Sequence, residues 1–328
     1  MLHHSIESAY STLQTGKPIS RHLAMELADI KGENVLDLVS LANKVRNRFS
    51  PDMHACSILN AKSGMCGENC RFCAQSRHHT ATVERYHLMS ANDILESARK
   101  VYTEGVRSFG IVTSGRGYPV VSAEFEAICA AIELIHKEMP EMNVCASLGM
   151  LGEEPAQRLS ICRIQHYNIN IQVPPARYAE LVADTHTVEE RIETIHRLRH
   201  NGVSVCCGGI MGLGETMKDC VDLAFALHDL NVTVIPLNVL IPIAGTPVEK
   251  QPPLPAMDVI KTFAIFRLVL PTKIIKFAAG RETIMKDFQA VIMLAGANGM
   301  ITGGYLTTRG RSVEDDATFM RQLSAFFR

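Results

Sequence analysis

The sequence has almost no net charge: 33 lysines and arginines face 34 aspartates and glutamates, leaving −1. It therefore offers no electrostatic footprint for nucleic acid or for an anionic membrane, and neither is expected as a partner. Long apolar runs are missing too, none approaching the ~18 uninterrupted residues of a membrane span. Met1 to Ser20 holds no basic region followed by an apolar stretch, so no leader is read there and the cytoplasm is the expected location. No repeat, low-complexity tract or internal linker breaks the chain. What is present is an apolar share of 47% against 20% charged residues in 328, enough for the core of one large α/β domain around a small molecule. Ten cysteines in such a chain are not expected to form disulfides, because a core of this size needs no staples and the cytosol keeps thiols reduced. Metal or redox chemistry is the question they raise.

Asn34 reads as the cap of a helix whose apolar positions Val35, Leu38, Ala42, Val45 and Phe49 recur at three and four residues, with Pro51 closing it. Residues 1–50 are thus expected as an N-terminal helical extension, and 51–328 as the main domain. Beyond it, apolar or β-branched runs fall near 54–60, 107–113, 142–148, 164–171, 203–211, 232–240, 273–278 and 300–306. Between them, Ser90-x-x-Asp93, Thr187-x-x-Glu190 and Thr216-x-x-Asp219 open helical stretches as capping boxes do. Pro252, Pro253 and Pro255 mark a loop before another helix. Strand and helix alternate, which favours a closed (β/α)8 barrel over an open sheet, although pattern alone does not separate seven strands from eight. In either architecture ligands belong at the C-terminal ends of the strands.

Directly after the first strand run comes Lys62-Ser63-Gly64-Met65-Cys66-Gly67-Glu68-Asn69-Cys70-Arg71-Phe72-Cys73, a C-x3-C-x2-C loop. Three thiolates this close can hold three irons of a cubane and leave the fourth open to a ligand. The competing reading is a structural zinc site, which needs a fourth ligand from His78, His79 or Cys56 and usually pairs two C-x2-C units where this chain has one. Cys129, Cys162, Cys207 and Cys220 read as small buried hydrophobes: two fall on helical patterns, Cys162 follows a short helix, and Cys207 faces away from Cys206 on a regular strand.

The cysteine spacing resembles the radical S-adenosylmethionine (SAM) superfamily. The likeness sharpens to the biotin synthase family through Asn60-Ala61-Lys62-Ser63-Gly64, Cys73-Ala74-Gln75-Ser76, Ser114-Gly115-Arg116-Gly117, Tyr167-Asn168, Gly208 to Thr216, Gly245-Thr246-Pro247, Ala279-Gly280-Arg281-Glu282 and Tyr305-Leu306-Thr307-Thr308. The glycine-rich stretch before Thr216 lacks the Lys-Ser/Thr of a phosphate loop. The resemblance implies a radical SAM (β/α)8 barrel of the TIM type and a sulfurtransferase converting dethiobiotin to biotin. It implies a [4Fe-4S] cluster on Cys66, Cys70 and Cys73, with SAM chelated at the open iron and cleaved to a 5′-deoxyadenosyl radical. It also implies an electron donor such as flavodoxin or ferredoxin, and a homodimer.

Carried over by residue, the resemblance gives Arg191 to the SAM carboxylate, Phe72 to its adenine, and Asn170 and Gln172 to its ribose side, with Ile210 also at the cofactor. Asn168 and Asn238 go to the substrate's ureido ring. No side chain is assigned as general acid or base. Read without the resemblance, Arg191 could equally pair with Glu189 or Glu193 on its own helix, and Asn168 could serve backbone groups at a strand end.

The family's auxiliary [2Fe-2S] cluster, its sulfur donor, uses three cysteines and an arginine. Cys145 and Cys206 match two of them, but Gly110 stands at the third cysteine position and Lys276 at the arginine position. Gln172 replaces an aspartate, and Ile169 a histidine. Cys56 is therefore the candidate third ligand of an auxiliary [2Fe-2S] or variant cluster, because Cys56, Cys145, Cys206 and Lys276 fall on the first, third, fifth and seventh strand runs and could share one barrel layer. Lys276 is expected beside that cluster as a charge, since an ammonium cannot ligate iron. The alternatives are a paralogue, either a mutase or a cofactor maturase, that uses the radical without inserting sulfur, or a non-enzymatic metal-binding protein.

Overall fold

A computed structural model describes residues 2–304, 306 and 310–326 of the chain. Eight strands form its centre: His54–Lys62, Ser108–Thr113, Asn143–Ser147, His166–Asn168, an interrupted fifth made of Ser204–Cys206 and Gly209–Met211, Val234–Val239, Ile274–Phe277 and Gly299–Ile301. All pair in parallel with their neighbours, and the eighth pairs with the first, so the sheet closes into a barrel. Each apolar run read from the sequence is a strand, and closure decides for eight over seven. The last run, expected near 300–306, is a strand only over Gly299–Ile301; Tyr305, Thr307 and Thr308 lie outside the described residues. A two-stranded parallel pair, Gly117–Tyr118 with Met150–Leu151, links the loops after the second and third strands.

Before the barrel come three helices, His4–Gln14, Arg21–Ala28 and Asn34–Phe49. The sequence reading of Asn34 as a cap is corrected here. The cap position is Glu33 and no side chain bonds there; instead the carbonyls of Gly32 and Glu33 take the N–H groups of Val35 and Leu36, a tight turn that satisfies the first donors without a cap. Thr187 with Glu190 and Thr216 with Asp219 make reciprocal capping boxes. At Ser90 only half a box forms, because the Asp93 carboxylate accepts from the Ser90 hydroxyl and not from its backbone N–H. No helix among the described residues is long and apolar enough to cross a membrane.

Helix Ala256–Val269 is buried at every position from Val259 to Val269, apolar all round as a core helix is. It packs against helices Met217–Asp229, Arg21–Ala28 and Asn34–Phe49, and its Phe263 meets Phe277 of the seventh strand, ring centroids 5.3 Å apart. Two cations inside it tie the layers together. Lys261 Nζ donates to the Ala28 and Ile30 carbonyls, at 2.9 and 3.2 Å. Arg267 donates to the carbonyls of Gly296, Leu270, Pro271 and Lys273 and to Asn298 Oδ1. Burial and the neighbouring Arg46 pull its pKa down to about 9, yet its five acceptors include the open end of its own helix and the turns before the seventh and eighth strands. Arg267→Met should therefore lower the unfolding free energy by on the order of 3 kcal/mol, several buried acceptors losing their donor at once; a shift in the urea or thermal midpoint of the purified protein measures it.

Candidate active site

The C-terminal ends of the strands open into a cavity of about 390 Å³, within the range of small-molecule sites. Apolar side chains such as Ile58, Val112, Ile210, Val239 and Ile243 make much of its wall. Its described lining contains no Asp, Glu, His or Tyr; the charged side chains are Arg191 and Lys276. Nearly every site residue read from the sequence lines this one space: Phe72, Cys73, Asn168, Asn170, Gln172, Arg191, Ile210 and Asn238 above, and Cys56, Cys145, Cys206 and Lys276 below. Cys66 and Cys70 lie on the loop beside it.

That loop is built by backbone bonds. Cys66 N–H donates to the Gln75 carbonyl at 3.0 Å, Arg77 N–H to the Cys66 carbonyl at 2.9 Å, and Cys73 N–H to the Cys70 carbonyl at 2.9 Å. Burial pushes the Cys70 thiol up to about 12 and raises Cys73 as well, and the neighbouring cysteine thiols add to both shifts. A bound cation would invert the effect at Cys70 and Cys73. No three His, Cys, Asp or Glu side chains among the described residues converge as ligands of a single ion do. The candidate fourth zinc ligands are engaged elsewhere: His78 Nε2 lies 2.9 Å from the Gly67 carbonyl and His79 Nδ1 2.9 Å from the Cys73 carbonyl, while Cys56 sits in the barrel layer below.

Arg191 does not pair with Glu189 or Glu193; Glu193 bonds Arg197 at 3.0 Å. Its Nη1 donates to the Asn170 carbonyl and its Nη2 to His186 Nε2, both at 3.0 Å, over the Tyr178 ring. Its Nε is buried without a protein partner, and the side chain lines the cavity. The Asn170 side chain accepts from Gly208 N–H at 2.9 Å. Gln172 adopts φ +67°, an uncommon conformation for a residue with a side chain.

Two residues of this region escaped the sequence reading. Glu68, between Cys66 and Cys70, accepts from Thr185 Oγ1 at 2.6 Å and from His186 Nδ1 at 2.7 Å, with Arg116 at 3.3 Å. Burial alone would raise the Glu68 carboxyl, but the bonds from Thr185 and His186 outweigh it and hold the pKa below the ordinary value. Burial and Arg191 together depress His186.

Below, the alternation of the strands brings Cys56, Cys145, Cys206 and Lys276 to one height. Lys276 Nζ is 3.3 Å from Cys56 Sγ. Burial opposes the ammonium, yet the sulfurs of Cys56, Cys206 and Cys145 outweigh it and hold the pKa above lysine's usual value. Burial raises the thiols of Cys145 and Cys206, with Lys276 opposing. Gly299 makes room for this side chain, since a Cβ there would stand 2.7 Å from Lys276 Cγ. Cys129, Cys162, Cys207 and Cys220 are buried outside the cavity.

The family described as "Radical SAM superfamily" matches residues 62–227, and the "Biotin and Thiamin Synthesis associated domain" matches 236–325. A biotin synthase of Pelodictyon phaeoclathratiforme is 60% identical over 99% of this chain and 98% of its own length; that of Chlorobaculum tepidum is also 60% identical with the same coverage. Among solved structures, a methylornithine synthase superposes with TM-score 0.83 at 15% identity over 97% of this chain and 96% of its own. A maturase of the [FeFe]-hydrogenase gives 0.80 at 16%, over 98% and 74%. At such identities these two share the fold, which says nothing about reaction.

Asn168 and Asn238 differ in a way the sequence did not reveal. Asn168 donates only to Ser147 Oγ, at 3.2 Å. Asn238 donates to the Gly209 carbonyl and accepts from Ala279 N–H, both at 3.0 Å, so it stitches three strands' ends together. Asn238→Ala should cost about 1–3 kcal/mol of stability, because two buried backbone groups lose their partner, and Asn168→Ala about 1 or less. Thermal melts of the two ligand-free variants, compared side by side, check the difference.

Proposed function

The chain belongs to the biotin synthase family and is a radical SAM enzyme of sulfur insertion, and we propose that the residues gathered at its cavity carry out the steps as follows. Cys66, Cys70 and Cys73 hold the [4Fe-4S] cluster, a reading supported by their C-x3-C-x2-C spacing on the loop beside the cavity and by the radical SAM match over residues 62–227. With SAM, this cluster supplies a 5′-deoxyadenosyl radical able to take hydrogen from unactivated carbon. Arg191 offers its unpartnered Nε edge to the SAM carboxylate, the geometry that a guanidinium suits. Phe72 and Ile210 pack against the cofactor, and Asn170 and Gln172 face its ribose side. Asn168 and Asn238 hold the ureido ring of dethiobiotin with the donors and acceptors their barrel bonds leave free. The apolar wall excludes water from the radical, and hydrogen-atom transfer asks for no acid or base, which suits a lining without carboxylate or imidazole.

The 60% identity to biotin synthases outweighs the mutase and maturase alternatives, whose structural likeness reaches only 15–16%. Dethiobiotin is thus the substrate. An electron donor such as flavodoxin or ferredoxin, a homodimer, and a cytoplasmic location belong to the proposal.

For the sulfur source we propose an auxiliary iron-sulfur cluster on Cys56, Cys145 and Cys206, with Lys276 as a neighbouring charge. The single observation that carries this is the 3.3 Å approach of Lys276 to Cys56 within a layer holding the other two thiols. Gly110, where a third cysteine would stand, faces Ile58, and a Cβ there would lie 3.1 Å from Ile58 Cγ2. A side chain at 110 is crowded, whereas Cys56 already points inward.

Alanine at Cys66, Cys70 and Cys73 together should abolish reductive SAM cleavage; 5′-deoxyadenosine formed by the triple variant would refute the cluster assignment. Cys56→Ala should lower the iron and sulfide bound after anaerobic reconstitution, leave SAM cleavage in place, and stop single-turnover biotin formation. Unchanged iron, with biotin still formed, would return Cys56 to the class of buried thiols.

A further inference from the structure

Glu68 and Arg191 are joined through one imidazole. His186, almost wholly buried at 3% exposure, has Nδ1 2.7 Å from Glu68 Oε2 and Nε2 3.0 Å from Arg191 Nη2. Tyr178 Oη also lies 2.8 Å from Nε2. A guanidinium has only N–H groups and a carboxylate only acceptors, so the neutral ring that serves both carries its proton on Nδ1, donated to Glu68, and accepts at Nε2, where Cys70 Sγ also lies 4.0 Å away. The tautomer is thus fixed by geometry, with Glu68 as its orienter. Arg191 has Nη1 on the Asn170 carbonyl and Nη2 on this imidazole, which leaves Nε as the buried edge without a partner.

We propose that His186 is a positioning residue: held by Glu68 from within the cysteine loop, it fixes the Nη2 end of Arg191, and with it the orientation of the guanidinium that lines the cavity and so the affinity for the carboxylate of SAM. The inference rests on the reading that Arg191 binds that carboxylate. It makes the loop that holds the cluster and the side chain that holds SAM parts of one hydrogen-bonded chain. Neither end can shift without the other, which suits two ligands that must meet at a single iron. Supporting contacts of this kind typically change ligand affinity by about 10- to 100-fold when removed.

His186→Asn tests the idea, because an asparagine amide can still donate to Glu68 but presents nothing to Arg191. Dissociation constants for SAM and for decarboxylated SAM are measured by equilibrium dialysis on anaerobically reconstituted protein, with iron counted in the same samples. The expected result is roughly a 10-fold loss for SAM, no comparable loss for the analogue lacking the carboxylate, and unchanged iron. Glu68→Gln, which no longer enforces the tautomer, should move the constants the same way. Equal losses for both ligands, or none, overturn the proposal. So does loss of iron from both variants, since the pair would then serve the loop and not Arg191. Arg191→Lys separates the two readings: if it leaves the discrimination between SAM and its analogue intact, the assignment of Arg191 falls. If Arg191→Lys removes the discrimination and His186→Asn does not, only the relay falls.

Discussion

Closure of eight parallel strands governs everything else in this molecule. Once the eighth strand pairs with the first, only every second residue points inward, and alternate strands share a height. The interior therefore has few positions, usually given to branched apolar side chains. Here one layer carries three cysteines and a lysine instead. A buried ammonium is costly, so this layer stabilises the barrel less than branched apolar side chains would. The outer shell supplies the compensation: a helix buried on all sides, with Arg267 and Lys261 satisfying the helix ends and turns around it.

Period and punctuation were enough to read much of this from the amino-acid order. The strands announce themselves as short β-branched runs between capping signals, and once they are counted the parity of each strand follows. That is why Cys56, Cys145, Cys206 and Lys276 could be put at one height before any coordinate was known. The N-terminal cap at Asn34 was misread because backbone carbonyls of Gly32 and Glu33 do the work of a side chain, and such a turn leaves no compositional mark.

The contacts around the cysteine loop were illegible for a different reason. Glu68 and His186 are 118 residues apart, on loops that follow the first and fourth strands, and no periodicity connects loops. Sequence proximity pointed to His78 and His79 instead, and the folded loop turns both toward carbonyls within itself. Likewise nothing in the sequence separates Asn168 from Asn238. Only the register of the fifth, sixth and seventh strands puts Gly209 and the chain at Ala279 within reach of Asn238.

The vertical order of the cavity carries a further consequence. Arg191 stands at its mouth and Lys276 at its floor, with no acidic side chain in the described lining between them. Lys276 is desolvated, and in a water-poor space a cation favours an anionic neighbour far more than it would in solvent. In the proposed arrangement those neighbours are the SAM carboxylate above and an electron-rich cluster below. The middle is left to neutral amides and apolar carbon. A cyclic urea is neutral and satisfied by amides, so it competes for neither charged end. In that arrangement Asn168 and Asn238 hold the ring between the two ends of the cavity. Charge at the two ends and its absence in the middle would thus order three groups along one axis without any residue contacting all of them.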